Sequence, residues 1–153
     1  MQVPHNALVV VADGRKLLML RNEGDATRLD LQVEHHAEQE NAAHRDQATD
    51  QAGRAQSTRT SGGAWASGGG SVEEVDFHQQ QEDRFAAETA ELLKTRALRQ
   101  DFESLIIVAP PKTLGELRKH YHKEVSDRLT GELAKDLTGH PVPEIEKALV
   151  AAE

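Results

Sequence analysis

Three sets of residues have the types and spacing to do chemistry. Asp13 closes an apolar run, His36, Glu40 and His44 recur every fourth residue, and His120 stands two residues from His122. A two-metal nuclease needs several carboxylates gathered at strand ends. Asp13 offers one, but the second long apolar run ends in Ala109-Pro110-Pro111 without an acid. Asp13 also precedes Gly14, a pair suited to a hairpin turn because both positions tolerate positive φ. An unrecognised hydrolase or metal-dependent nuclease on the strand-end surface is therefore the alternative reading. His36, Glu40 and His44 share a face only if their segment is helical, and His120 and His122 would diverge on a helix, so solvated histidines are expected. No metal and no cofactor is expected.

Other chemistries are poorly served. The chain has no cysteine, which removes thiol catalysis, thiolate metal sites and disulfides. The glycines of residues 62–70 are not followed by the Lys-Ser/Thr of a phosphate loop, and no serine occupies a G-x-S-x-G elbow. With 153 residues, 37% hydrophobic and 29% charged, the chain has the size of a single domain spanning residues 1–153. Only five residues are Phe, Trp or Tyr, so the core must be mainly aliphatic. A formal net charge of −8 repels phosphate backbones, so nonspecific DNA binding is not expected. The apolar run of residues 7–12 lacks a basic segment before it and is too short to span a bilayer, which points to a cytoplasmic protein without membrane insertion.

The elements that would position these residues follow from hydrophobic period. Residues 7–12 form a continuous apolar run, as in a strand buried on both faces. "RKLLMLRN" reads as its antiparallel return after Asp13-Gly14, and "TRLDLQVEHH" alternates, with Leu29, Leu31 and Val33 on one face. This third strand belongs near a sheet edge. Residues 38–75 are poor in large apolar side chains and read as a mobile loop, with a short helical stretch at "HAEQENAAHRDQ". A helix is expected from Asp76, capped with Gln79, to about Arg99, with Phe85, Thr89, Leu92 and Leu93 inward. "SLIIVAPP" supplies a fourth strand, parallel to the first because a helix intervenes. Thr113 with Glu116 predicts a capping box for a second helix carrying Leu114, Leu117, Tyr121 and Val125 on one face. A fifth strand falls within "SDRLTGELA", and Pro143 opens a last helix with Ile145, Ala148 and Leu149 inward. The expected fold is thus α/β, a five-stranded mixed sheet: an antiparallel meander of strands 1–3, then parallel strands 4 and 5, with helices packed on it. This is the order of ribonuclease-H-like domains and of the release-factor middle domain.

The stretches "VVVADGRKLLML", "QEDRFAAETAELL", "FESLIIVAPPKTLGELRKH" and "GELAKDLTGHPVPEIEKAL" resemble the bacterial family of proteins required for attachment to host cells, related in fold to the middle domain of archaeal and eukaryotic peptide-release factors. The A-P-P-x-x-L-G-x-L-R element is Ala109 to Arg118 here, and K-D-L-T is Lys135 to Thr138. The resemblance implies a translation-related or regulatory role, with attachment to host cells an indirect effect. In release factors, a Gly-Gly-Gln tripeptide takes part in ester hydrolysis; the nearest equivalent here is Gly62-Gly63-Ala64. Alanine offers no hydrogen bond, so that hydrolysis is expected to be absent. Trp65 could stack on a base or fill a partner's pocket. Lys112, Arg118, Lys119 and Lys135 could form a basic surface near the strand ends, where open α/β sheets bind ligands. The expected partner is a ribosome, an RNA or a protein, and self-association is compatible with the sequence.

Overall fold

The computed structural model describes residues 1–39 and 63–152, with side-chain surroundings for 1–39 and 77–152. Strands β1 (Leu8–Ala12), β2 (Lys16–Asn22) and β3 (Leu31–Glu38) are followed by helix α1 (Gly63–Leu98), β4 (Leu105–Ala109), α2 (Pro111–Arg118), α3 (Lys123–Arg128), β5 (Leu129–Ala134) and α4 (Val142–Ala151). The sheet order is β3-β2-β1-β4-β5. β1 pairs antiparallel with β2 and β2 with β3, while β1 with β4 and β4 with β5 are parallel. The fold is the five-stranded mixed α/β sheet that the hydrophobic pattern implies.

Strand alternation sorts the core into two layers. Leu8, Val10, Met19, Leu105 and Ile107 face α1, α2 and α3, packing on Phe85, Leu93, Ala97, Leu114, Leu117 and Val125. Val9, Val11, Leu20, Ile106 and Val108 face the other way, onto Val3, Leu137, Ile145 and Leu149. Both central strands are therefore fully buried, as their unbroken apolar runs require.

Several local expectations are corrected. The first hairpin has no residue of positive φ at Gly14. Its central pair is Gly14-Arg15: the Asp13 N–H reaches the Lys16 carbonyl at 3.0 Å, and Asp13 Oδ1 accepts the N–H groups of Arg15 and Lys16. Side-chain capping by Asp13 replaces a left-handed turn. The third strand starts at Leu31, because Asp25 Oδ1 accepts the N–H groups of Thr27 and Arg28 and holds the preceding residues in a turn. Within β3 the register shifts: Met19 pairs His35 and Leu20 pairs Val33, so Glu34 is an extra, bulged residue.

The first helix begins at Gly63 instead of Asp76, so residues 63–75 belong to it and not to a loop. The second helix is capped by Pro110 with Pro111 in its first turn, and no side-chain capping bond forms, so the Thr113–Glu116 box is not used. Proline pre-sets the backbone there and needs no donor. The chain also breaks at residues 119–122, splitting that helix into α2 and α3; the His122 ring accepts the Glu124 N–H at 3.0 Å and starts α3. Gly62, Glu40, His44 and most of the expected short helical stretch lie outside the described residues.

Candidate functional site

The C-terminal ends of the parallel strands bring together elements from across the chain. The Thr138 hydroxyl donates to Asp13 Oδ2 at 2.7 Å, and Asp136 Oδ1 lies 3.1 Å from the same hydroxyl. Thr138 and Asp136 belong to the K-D-L-T element, so this element closes onto the first hairpin. Helix α1 completes the corner: a Cβ at Gly14 would lie 2.8 Å from Glu82 Cγ and Cδ. The approach is to the flexible end of the Glu82 side chain, and φ at Gly14 is not positive, so glycine here marks a close contact and not a backbone requirement.

The A-P-P-x-x-L-G-x-L-R element places Pro110 at the end of β4, and Leu114 and Leu117 anchor α2 on the sheet. On the outside of α2, the Lys112 ammonium donates to Gln79 Oε1, and Gln79 Nε2 donates to Asp83 Oδ1 at 2.8 Å. Arg118, near the other end of the helix, grips Glu132 of β5 from Nη2 at 2.6 Å and from Nε at 3.1 Å. The Tyr121 hydroxyl donates to the same carboxylate at 3.1 Å. Burial is the main reason that the phenol's pKa is pushed up, with the Glu132 charge reinforcing it. Lys119 reaches Glu116 at 2.8 Å, and this hydrogen bond holds the ammonium above its ordinary pKa.

The four cations thus separate into two pairs. Arg118 and Lys119 are matched by Glu132 and Glu116. Lys112 follows β4 and Lys135 follows β5, at the strand ends that also carry Asp13. Lys112 meets a neutral amide, and Lys135 is exposed without an ion pair among the described residues. Six residues of helix separate Lys112 from Arg118, about 9 Å along the axis. Positive charge without a carboxylate partner among the described residues therefore stays at Lys112 and Lys135, while Arg118 and Lys119 are largely neutralised.

Gly63 and Trp65 stand elsewhere. Gln79 and Glu82 mark where α1 passes the strand ends, at Lys112 and Gly14. Gly63 is sixteen residues earlier in the same helix, about 24 Å farther along its axis. The structure therefore does not bring the glycine-tryptophan stretch together with Lys112, which meets the same long helix farther along, at Gln79. The surroundings of the Trp65 side chain lie outside the described residues.

Asp13 is used as a turn cap and as the acceptor for Thr138. Among the described residues, no group of three or more His, Cys, Asp or Glu side chains could hold a metal ion. His120 is exposed, and His122 caps α3. Sequence reasoning missed Thr138, Gln79, Glu82, Glu132 and Tyr121 as parts of this surface. Only Thr138, inside a distinctive element, carried a signal.

These features define an α/β domain of the release-factor type. The chain belongs to bacterial archaeo-eukaryotic release factor family 12, whose family model matches residues 6–149. It is also 39% identical over 57 residues to an uncharacterized protein of Rickettsia prowazekii (strain Madrid E). That match covers 37% of this chain and 38% of the relative, so the chain spans well under half of the relative's length. Among the described residues, no helix is long and apolar enough to cross a membrane.

Proposed function

We propose that the protein is a non-catalytic, cytoplasmic binding module of translation that docks on the ribosome. The observation that carries this reading is the release-factor family match over residues 6–149, in a chain with Gly62-Gly63-Ala64 where the resemblance implies Gly-Gly-Gln. An alanine methyl can neither orient a water nor polarise an ester. What remains is a long helix with Trp65 near its start and, about 21 Å farther along its axis, the level at which Lys112 meets Gln79. In this reading, Trp65 enters a pocket or stacks on a base, and Lys112 and Lys135 meet phosphates. Gly62 and Gly63 allow close backbone approach, and Arg118 and Lys119 stiffen the platform through Glu132 and Glu116. Any effect on attachment to host cells then runs through translation and is indirect.

Two assays on the purified full chain test this. Co-sedimentation with ribosomes at low salt should place it in the ribosomal pellet, and a peptidyl-tRNA hydrolysis assay should show no turnover. Protein that stays wholly in the supernatant rules out the docking reading. Turnover above background rules out the non-catalytic one.

A further inference from the structure

The opposite end of the sheet holds a cleft that the translation reading does not use. Its volume is about 390 Å³, and it lies between the segment before β1, the end of β2 and the α1–β4 connection. Among the described residues, two non-glycine residues have positive φ, Asn6 at 69° and Gln100 at 60°, and both line this cleft. Gln100 is the telling one. Its N–H bonds the Ala97 carbonyl at 2.9 Å and the Asp101 N–H bonds the Arg96 carbonyl at 3.0 Å, the helix-ending pattern whose left-handed residue is usually glycine. A side chain is kept where glycine would cost less, and such outliers collect at ligand sites.

Arg21 sets the cleft floor. It is nearly buried, at 9% exposed. Its Nε and Nη2 donate to Glu34, and its Nη1 donates to the carbonyls of Asn6 at 3.1 Å and Asp101 at 2.8 Å. One guanidinium therefore clamps both left-handed corners, and of its five N–H groups one is left over, on Nη2. At the rim, the His5 ring is held by its Nδ1 bond to the Gly24 carbonyl at 2.7 Å, which leaves an exposed imidazole face. The Glu103 carboxylate is exposed and has no ion pair among the described residues. The side chains of Asn6, Gln100 and Ser104 add amide and hydroxyl groups.

We infer that this cleft binds a guanine base, as a free nucleoside or as an unpaired residue of RNA. Guanine's Watson–Crick edge presents two N–H donors beside a carbonyl acceptor. A carboxylate next to N–H donors is its complement, and unstacked bases are read on such edges while stacking on a ring such as histidine. Glu103 takes the donor pair, Arg21 or an amide meets the carbonyl, and His5 covers a ring face. A neutral base also suits a chain of net charge −8, which disfavours recognition through phosphate alone. The inference stands apart from ribosome docking, since cleft and strand-end lysines occupy opposite ends of the sheet.

The test is calorimetry on the full chain with guanosine, adenosine and two uridine-rich pentaribonucleotides that carry a central guanosine or adenosine. Guanosine should bind at least about tenfold more tightly than adenosine, the discrimination of one good bidentate contact. Binding of the guanosine-containing pentamer as well assigns the source to RNA; binding of the nucleoside alone assigns it to free guanosine. Glu103→Gln should remove the preference. Gln100→Gly should raise the Tm by a few degrees while weakening guanosine binding, because it relieves the backbone and deletes a contact. No heat from either guanosine-bearing probe overturns the inference, as does binding that both variants leave unchanged.

Discussion

Thr138 donates its hydroxyl to Asp13 Oδ2 at 2.7 Å, across 125 positions of sequence. The same carboxylate caps the first hairpin through the N–H groups of Arg15 and Lys16. One aspartate therefore fixes a turn and anchors the loop that follows β5. Asp13→Ala should cost about 2 kcal/mol, because it strips three donors of their acceptor, and Thr138→Val about 1 kcal/mol. Urea denaturation measures both. The double variant should cost less than the sum of the two, since the pair shares one bond. Strict additivity would show that the contact carries no coupling.

Glu34, the bulged residue of β3, is gripped by Arg21 at 3.0 Å and by Arg96 at 2.7 Å. The Arg21 hydrogen bond is the main reason its carboxyl lies below the ordinary glutamate pKa; partial burial opposes the shift, and Arg96 adds to it. A lowered pKa stabilises the fold above the unfolded value, about 4.3, and that stability is lost as pH falls through the folded value. Glu34→Gln should flatten the fall of Tm below about pH 4.5 and lower stability near neutrality by about 1–3 kcal/mol, because it leaves a nearly buried arginine unmatched. An unchanged acid limb would mean that other carboxylates dominate it.

Tyr121 gives the alkaline counterpart. It is the single tyrosine of the chain, so its ionisation can be followed by ultraviolet absorbance. Burial first, then the Glu132 charge and hydrogen bond, raise its pKa. A raised folded pKa contributes stability below the unfolded value of about 10, which declines as pH climbs beyond it. The phenol should ionise only with unfolding, and Tyr121→Phe should remove its part of the alkaline slope. Ordinary titration in the folded protein would contradict the burial of the phenol beside Glu132.

Two glycines separate tight packing from open space. A Cβ at Gly24 would collide with the Arg28 carbonyl oxygen and lie 3.0 Å from the Asp30 nitrogen, whereas at Gly139 it meets nothing within 4 Å. Gly24→Ala should cost about 2–3 kcal/mol, because backbone must move. Gly139→Ala should leave the melting temperature nearly unchanged. Equal melting temperatures would count against this turn geometry.

The sheet was legible where burial on both faces writes an unbroken apolar run, as in residues 8–12 and 105–109. It was less legible where a side chain redirects the backbone. Nothing local in "LQVEHH" announces that Glu34 is an extra residue, because its partners Arg21 and Arg96 are distant in sequence. The start of α1 was missed because glycine and serine are poor helix formers, yet residues 63–75 are helical. At α2, Pro110 and Pro111 set the helix start and left Thr113 without a capping task. The lysines and arginines of the strand-end surface could be named from sequence, as could Glu116 three residues before Lys119, but the neutralisation of Arg118 by Glu132 depends on which faces of β5 and α2 meet.

The most direct test of ribosome docking is co-sedimentation of the full chain with purified ribosomes at low salt, comparing wild type, Trp65→Ala and Lys112→Glu/Lys135→Glu. Docking through both features should carry wild-type protein into the pellet, with each variant reduced several-fold and the wild-type fraction falling as salt rises. Protein that stays in the supernatant, or variants that pellet as well as wild type, would contradict it.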